Sequence, residues 1–173
     1  MEGGYGQYQS DAHMDDQQYQ DHFRKTFITD NQGKNAEEDS WTLHDMMIPG
    51  GQPAKLVRIH NPNGRDLRIS EIADRLKFIV PTPVIILAGA KSERPGKTMA
   101  GIARAAFNTG AFVIDSGLGT QIERFCQRKG VPLLGVCPEA EVEYPRLNPT
   151  NRKDNELTNG HTHFFTIGQE KGK

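Results

Sequence analysis

The sequence predicts an α/β domain built on a doubly wound, mostly parallel sheet, and three observations carry that prediction. Three short apolar runs, PVIILAGA (83–90), AFVID (111–115) and VPLLGV (131–136), have the continuous hydrophobicity of strands buried on both faces. Between them lie two stretches of helical length, 95–110 and 119–130, each closed by a glycine, Gly110 and Gly130. Strand, helix, strand, helix, strand is the alternation that winds a parallel sheet through right-handed crossovers.

The elements follow in order. Residues 1–40, opening MEGGYGQYQSDAHMDDQQYQ, read as a disordered Gln/Gly/Tyr-rich tail without useful apolar periodicity. Such a tail is a solvated leader or a sticky interaction segment. Residues 41–53 form a linker or packing segment, because Trp41, Leu43, Met46, Met47 and Ile48 cluster before Pro49, Gly50 and Gly51. The domain proper is expected over 54–173. KLVRIH (55–60) reads as a short strand and NPNGRD (61–66) as a turn. ISEIADRLKFIV (69–80) reads as a helix with Ser70 as N-cap and Ile72, Leu76 and Ile79 on one face. In the helix of 95–110, Met99, Ile102, Ala106 and Phe107 line one side. A polar loop, 137–160, leads to a last strand, HTHFFTIG (161–168).

Bulk composition narrows the function. The 173 residues carry 21 basic and 22 acidic side chains, so the net charge of −1 gives no footprint for nucleic acid or a membrane surface. Two cysteines, Cys126 and Cys137, do not make a disulfide scaffold and fit a reducing, cytoplasmic setting. No basic region followed by an apolar run marks a secretory signal. The longest apolar run, 84–90, is too short to span a bilayer.

In a doubly wound sheet, ligands bind beyond the carboxyl ends of the strands. That puts AGAK (88–91), DSGLGT (115–120) and GVCPE (135–139) on one rim. HTHFF joins it only if its strand runs antiparallel or its loop folds back. Gly117, Gly119 and Thr120 suit a phosphate. Glycine lets backbone approach a ligand, and the N–H groups of a following helix attract an anion. The alternative is a plain strand-to-helix turn. Two familiar phosphate signatures fail: position 122 is Ile where GxGxxG needs glycine, and position 91 is Lys where a P-loop before Gly96, Lys97 and Thr98 needs it. Glu123 lies one turn after Thr120 and suits ribose hydroxyls or acid/base work, against an exposed ion-pairing role. Lys91, Arg94 and Lys97 could neutralise phosphates or form a solvated basic loop. Asp115 could cap the next turn. His161 and His163 alternate, so on a strand both face one side. No paired ligand spacing makes them a metal site. Cys137 is a candidate thiol at a strand end.

The blocks PVIILAGAK, NTGAFVIDSG, LLGVCPE and NGHTHFFTIG together resemble the SLOG superfamily. The nearest branch is the LSDAT group, which includes the cytosolic N-terminal regions of melastatin-type TRP channels. Gly89, Ala90 and Lys91 match its Gly-Gly-Ala-Lys element, with Ala88 for the first glycine. Thr109, Gly110, Ala111 and Gly117 match its second element, with Phe112 for Trp and Asp115-Ser116 for Thr-Gly. Asn159, His161, His163 and Phe164 match its Asn-His-Ser-His-Phe, with Gly160 extra. The resemblance spans roughly residues 54–168. It implies a Rossmann-like domain that senses a nucleotide or nucleotide-derived ligand related to ADP-ribose, often fused to an effector. The ligand residues implied are Gly89, Ala90, Lys91, Ser116, Gly117, Gly119, Thr120, Glu123, Asn159, His161 and His163, with no cofactor and no metal. LOG-type phosphoribohydrolases, the enzymatic cousins, carry PGGxGTxxE. Here Asp115–Glu123 keeps the Gly-Thr-x-x-Glu half without the Pro-Gly start. Their helix arginine is replaced by Gly101-Ile102, with Arg104 off register. If the chain is an enzyme, Glu123 is its catalytic residue and a nucleoside monophosphate its substrate. A third reading is an interaction module without ligand. Family domains continue beyond the His-x-His strand with another helix and strand. The expected sheet is therefore incomplete at its C-terminal end, with an exposed edge that favours a homo-oligomer.

Overall fold

The computed structural model describes residues 14–30, 40–60, 67–88, 96–146 and 153–168. Seven strands form one sheet in the order β1-β2-β3-β7-β6-β5-β4. The strands are β1 (Ile28–Asp30), β2 (Trp41–Met47), β3 (Pro53–Ile59), β4 (Val84–Ile86), β5 (Phe112–Asp115), β6 (Leu133–Pro138) and β7 (His163–Ile167). β1, β2 and β3 pair antiparallel. All pairings from β3 through β7, β6 and β5 to β4 are parallel. The expected doubly wound α/β architecture is therefore present.

The helices are α1 (Asp16–Phe27), α2 (Ile69–Arg75), α3 (Gly96–Thr109) and α4 (Glu123–Lys129). Strand alternation sends Leu56, Phe164, Leu133 and Val113 to one face. There α1 packs Tyr19 and Phe23 against Leu56, Phe164 and Tyr144, and α3 and α4 pack Met99, Ala103, Ala106 and Cys126 against Val113 and Leu133. On the other face Val57, Ile59 and Phe165 meet Trp41, Leu43 and Ile72 of α2. No described helix is long and apolar enough to cross a membrane.

The N-terminal expectation needs correction. Within the stretch read as a disordered tail, residues 16–30 form α1 and β1. Tyr19, Phe23 and Phe27 recur every fourth residue and make an aromatic stripe that a glutamine-rich composition hides. Phe23 is fully buried and its ring stacks on Tyr144 at 5.1 Å. A capping box starts the helix: Gln18 N–H donates to the Asp15 side chain, and the Gln18 side chain accepts from Asp15 N–H. Residues 1–13 and 31–39 lie outside the described residues. Residues 41–53 are not a linker, for 41–47 are a full sheet strand. Trp41, Leu43, Met46 and Ile48 are buried as a packing segment requires, while Met47 is exposed.

Smaller differences have local causes. The N-cap of α2 is Arg68, not Ser70, and Ile79 points to solvent beyond the end of the helix. β4 is not a doubly buried strand. It holds the sheet edge, so Val84 and Ile86 stay exposed. On α3, Ala103 takes the buried position and Phe107 is exposed, its ring carrying Lys129. β7 runs parallel to both its neighbours. Its N-terminal approach therefore reaches the site only because the loop before it folds back.

Candidate functional site

β5 delivers the glycine loop. It ends at Asp115, which is buried, and the chain then turns through Gly117 (φ +74°), Gly119 (φ +83°) and Gln121 (φ +70°) before α4. The loop lies directly on Gly135 of β6, where a Cβ would stand 2.7 Å from Gly117 Cα. The glycine inside LLGV is thus needed for the loop to descend onto the sheet.

The loop's own acids hold it in shape. Asp115 Oδ1 accepts from Gly117 N–H at 2.8 Å, and Asp115 Oδ2 accepts from the Thr120 hydroxyl at 2.7 Å. Glu123 Oε1 accepts from Thr120 N–H at 3.0 Å. Three donors read from the sequence as phosphate contacts, Gly117 N–H and both Thr120 donors, are therefore engaged within the loop. Asp115 does what its capping role anticipates. The N–H groups of Leu118, Gly119 and Gln121 have no acceptor among the described residues.

A second loop folds back to complete the site. Thr158 N–H donates to Gly117 O at 2.9 Å, and its hydroxyl stands 3.0 Å from Glu123 Oε1. Gly160, at φ +106°, brings backbone against α4, where an added Cβ would stand 2.7 Å from Glu123 Cβ. That close approach explains the extra glycine before His161. His161 is wholly buried. Its Nε2 lies 2.8 Å from Asp115 Oδ1, and its Nδ1 lies 3.0 Å from the Thr158 carbonyl oxygen. Burial alone would raise the Asp115 carboxyl, but His161, Thr120 and Gly117 outweigh it and hold it below the ordinary carboxylate range.

Between the two loops opens a cavity of about 500 Å³, lined by Leu118, Gly119, Gln121, Glu123, Arg124, Gln127, Lys153, Asp154, Thr158 and Asn159. Gly119, Glu123 and Asn159 are the lining residues that the sequence pointed to. Gly117, Thr120 and His161 support the wall from behind. Asn159 also ties the cavity to the β2–β3 turn, its Oδ1 accepting from Gln52 N–H at 3.3 Å. Ser116 is half-buried and does not line the cavity. Gly89, Ala90, Lys91 and Arg94 lie outside the described residues.

His163 belongs elsewhere. It packs edge-on to Phe78 at 4.9 Å, beside Lys55, on the face opposite the cavity. The expectation that both histidines face one side fails because His161 precedes the strand, in the turn made by Gly160. Burial first, then the Lys55 charge, depresses the His163 imidazole to about 4. Cys137 is not a reactive thiol: burial, then the charges of Glu139 and Asp115, push it up to about 12.

Sequence reasoning missed Arg124, Gln127 and Lys153. Gln127 follows Glu123 by four residues and shares its helix face, a signal that was available. Lys153 and Thr158 have none, since only the fold-back of their loop brings them in.

No curated protein matches the chain. The family model LSDAT_prok, described as SLOG in TRPM, prokaryote, matches residues 82–172. The match runs from β4 through β7 and so contains both loops of the cavity, leaving α1, α2 and β1–β3 ahead of it. It spans more than half of the 173 residues and agrees with the motif blocks and the observed sheet. The chain belongs to the LSDAT family of prokaryotic SLOG domains.

Proposed function

We propose that this domain binds a nucleotide-derived, phosphate-bearing ligand related to ADP-ribose and serves as a ligand sensor. The cavity between the glycine loop and the fold-back loop carries the reading. Its volume lies within the range of small-molecule sites, about 300–1,000 Å³. Three loop N–H groups without acceptors among the described residues, those of Leu118, Gly119 and Gln121, suit phosphate oxygens. Arg124 adds a cation on the wall, and Glu123 and Asn159 suit ribose hydroxyls. The Asp115–His161 pair and the Thr158 contacts set the loop before a ligand arrives, which lowers the ordering cost of binding. The two free, buried cysteines support a cytoplasmic setting.

Thermal denaturation against ADP-ribose, cyclic ADP-ribose and AMP tests this. A ligand at a hundred times its Kd adds about 2.7 kcal/mol. In a domain of this size that raises Tm by several degrees. An unchanged Tm with every ligand counts against binding.

A second reading, hydrolysis of the N-glycosidic bond of a nucleoside monophosphate, draws on one observation. Glu123 lines the cavity with one oxygen fixed by two donors, as a positioned acid/base requires. It predicts free base released from AMP and lost in Glu123→Gln. Intact AMP after long incubation with the native protein excludes it.

A further inference from the structure

Asp16, the first residue of α1, reaches the loop that walls the cavity. Its carboxylate accepts from Lys153 Nζ at 2.6 Å and from Arg146 Nη2 at 2.5 Å. Lys153 also donates to Glu143 at 3.1 Å, and Arg146 pairs with Glu156 at 3.0 Å. Three carboxylates thus face two cations. Lys153 is at the same time one of two basic side chains on the described cavity wall, with Arg124. An anion entering the cavity meets an ammonium already neutralised and is repelled by the carboxylates that neutralise it. The chain adjoining Arg146 is fastened to α1 as well. Tyr19 donates to Pro145 O at 2.8 Å, and Tyr144 N–H donates to the Gln20 side chain at 2.7 Å.

We propose that Asp16 makes α1 a built-in competitor for the anionic ligand. Docking of the helix start on Lys153 and occupation of the cavity by a phosphate oppose each other, and occupancy is read out as release of the first turn of α1. The inference rests on the ligand-binding reading above. Hydrogen bonds from Lys153 and Arg146 hold the Asp16 carboxyl down at about 2, the direction expected of a carboxylate held between two cations. The release is local, because Phe23 remains anchored in the core behind Asp16.

The test uses the full chain with ADP-ribose, AMP or pyrophosphate as probe, followed by hydrogen exchange and titration. A bound probe is expected to slow exchange at residues 117–123 and to speed it at residues 16–20. Asp16→Asn should bind the same probe roughly two- to fivefold more tightly, the range an exposed ion pair supports. Lys153→Gln should bind the probe several-fold more weakly than the native chain and, at saturating probe, leave exchange at residues 16–20 unchanged. Slowed exchange at 117–123 without a change in α1, or an Asp16→Asn affinity no higher than the native one, overturns the competition and leaves the ligand reading standing. No slowing at 117–123 with any probe overturns both.

Discussion

Glu123 and Gly160 are a matched pair at the scale of single residues. The buried carboxylate of Glu123 holds Thr120 and Thr158 together, and Gly160 leaves the room in which Glu123 sits. Gly160→Ala would meet both an unfavourable φ and a close contact. It should cost about 2–4 kcal/mol in chemical denaturation, with the loop loosened. His163 gives the second prediction. Its imidazole titrates near 4 when folded, against an ordinary 6.5. The unfolded chain therefore binds the proton first. This contribution to stability is fully present above about pH 6.5 and is lost as pH falls toward 4. The loss amounts to at most on the order of 3 kcal/mol. Urea midpoints measured across that window should fall more steeply for the native chain than for His163→Phe. Asp115 adds a further loss as pH falls through the ordinary carboxylate range toward its depressed folded pKa, because the unfolded chain takes up the proton first.

The elements differ in how openly the sequence declared them. β5, β6, α3 and α4 were legible because their apolar patterns are uninterrupted and left-handed glycines close the helices, Gly110 at φ +66° and Gly130 at φ +67°. α1 was not, because a stripe of three aromatics lies among nine polar residues and its value appears only against Tyr144 and Phe164. β4 carried the pattern of an inner strand while occupying an edge, a choice that sheet order makes and local pattern does not. Since Phe23 is fully buried in the α1 cluster, Phe23→Ala should destabilise by about 3–5 kcal/mol. A cost below about 1 kcal/mol would mean that α1 is not part of the cooperative fold.

For the molecule as a whole, one seven-stranded sheet joins the family-matched half, β4 to β7, to an antiparallel extension, β1 to β3. The extension contributes to the site through the Gln52–Asn159 contact, and α1 contributes through Asp16. The glycine loop and Glu123 were legible as a site because they are contiguous in sequence. The opposite wall was not, because residues 153–161 reach it only by folding back ahead of a parallel strand. The proposed phosphate-bearing ligand sits between these two walls. The most direct measurement is a backbone amide NMR titration with whichever panel nucleotide raises Tm most. Shifts should concentrate at Leu118, Gly119 and Gln121, extend to Thr158 and Asn159, and leave Phe78 and His163 on the far face unchanged. Shifts confined to the far face, or none at the glycine loop at saturating ligand, would contradict it.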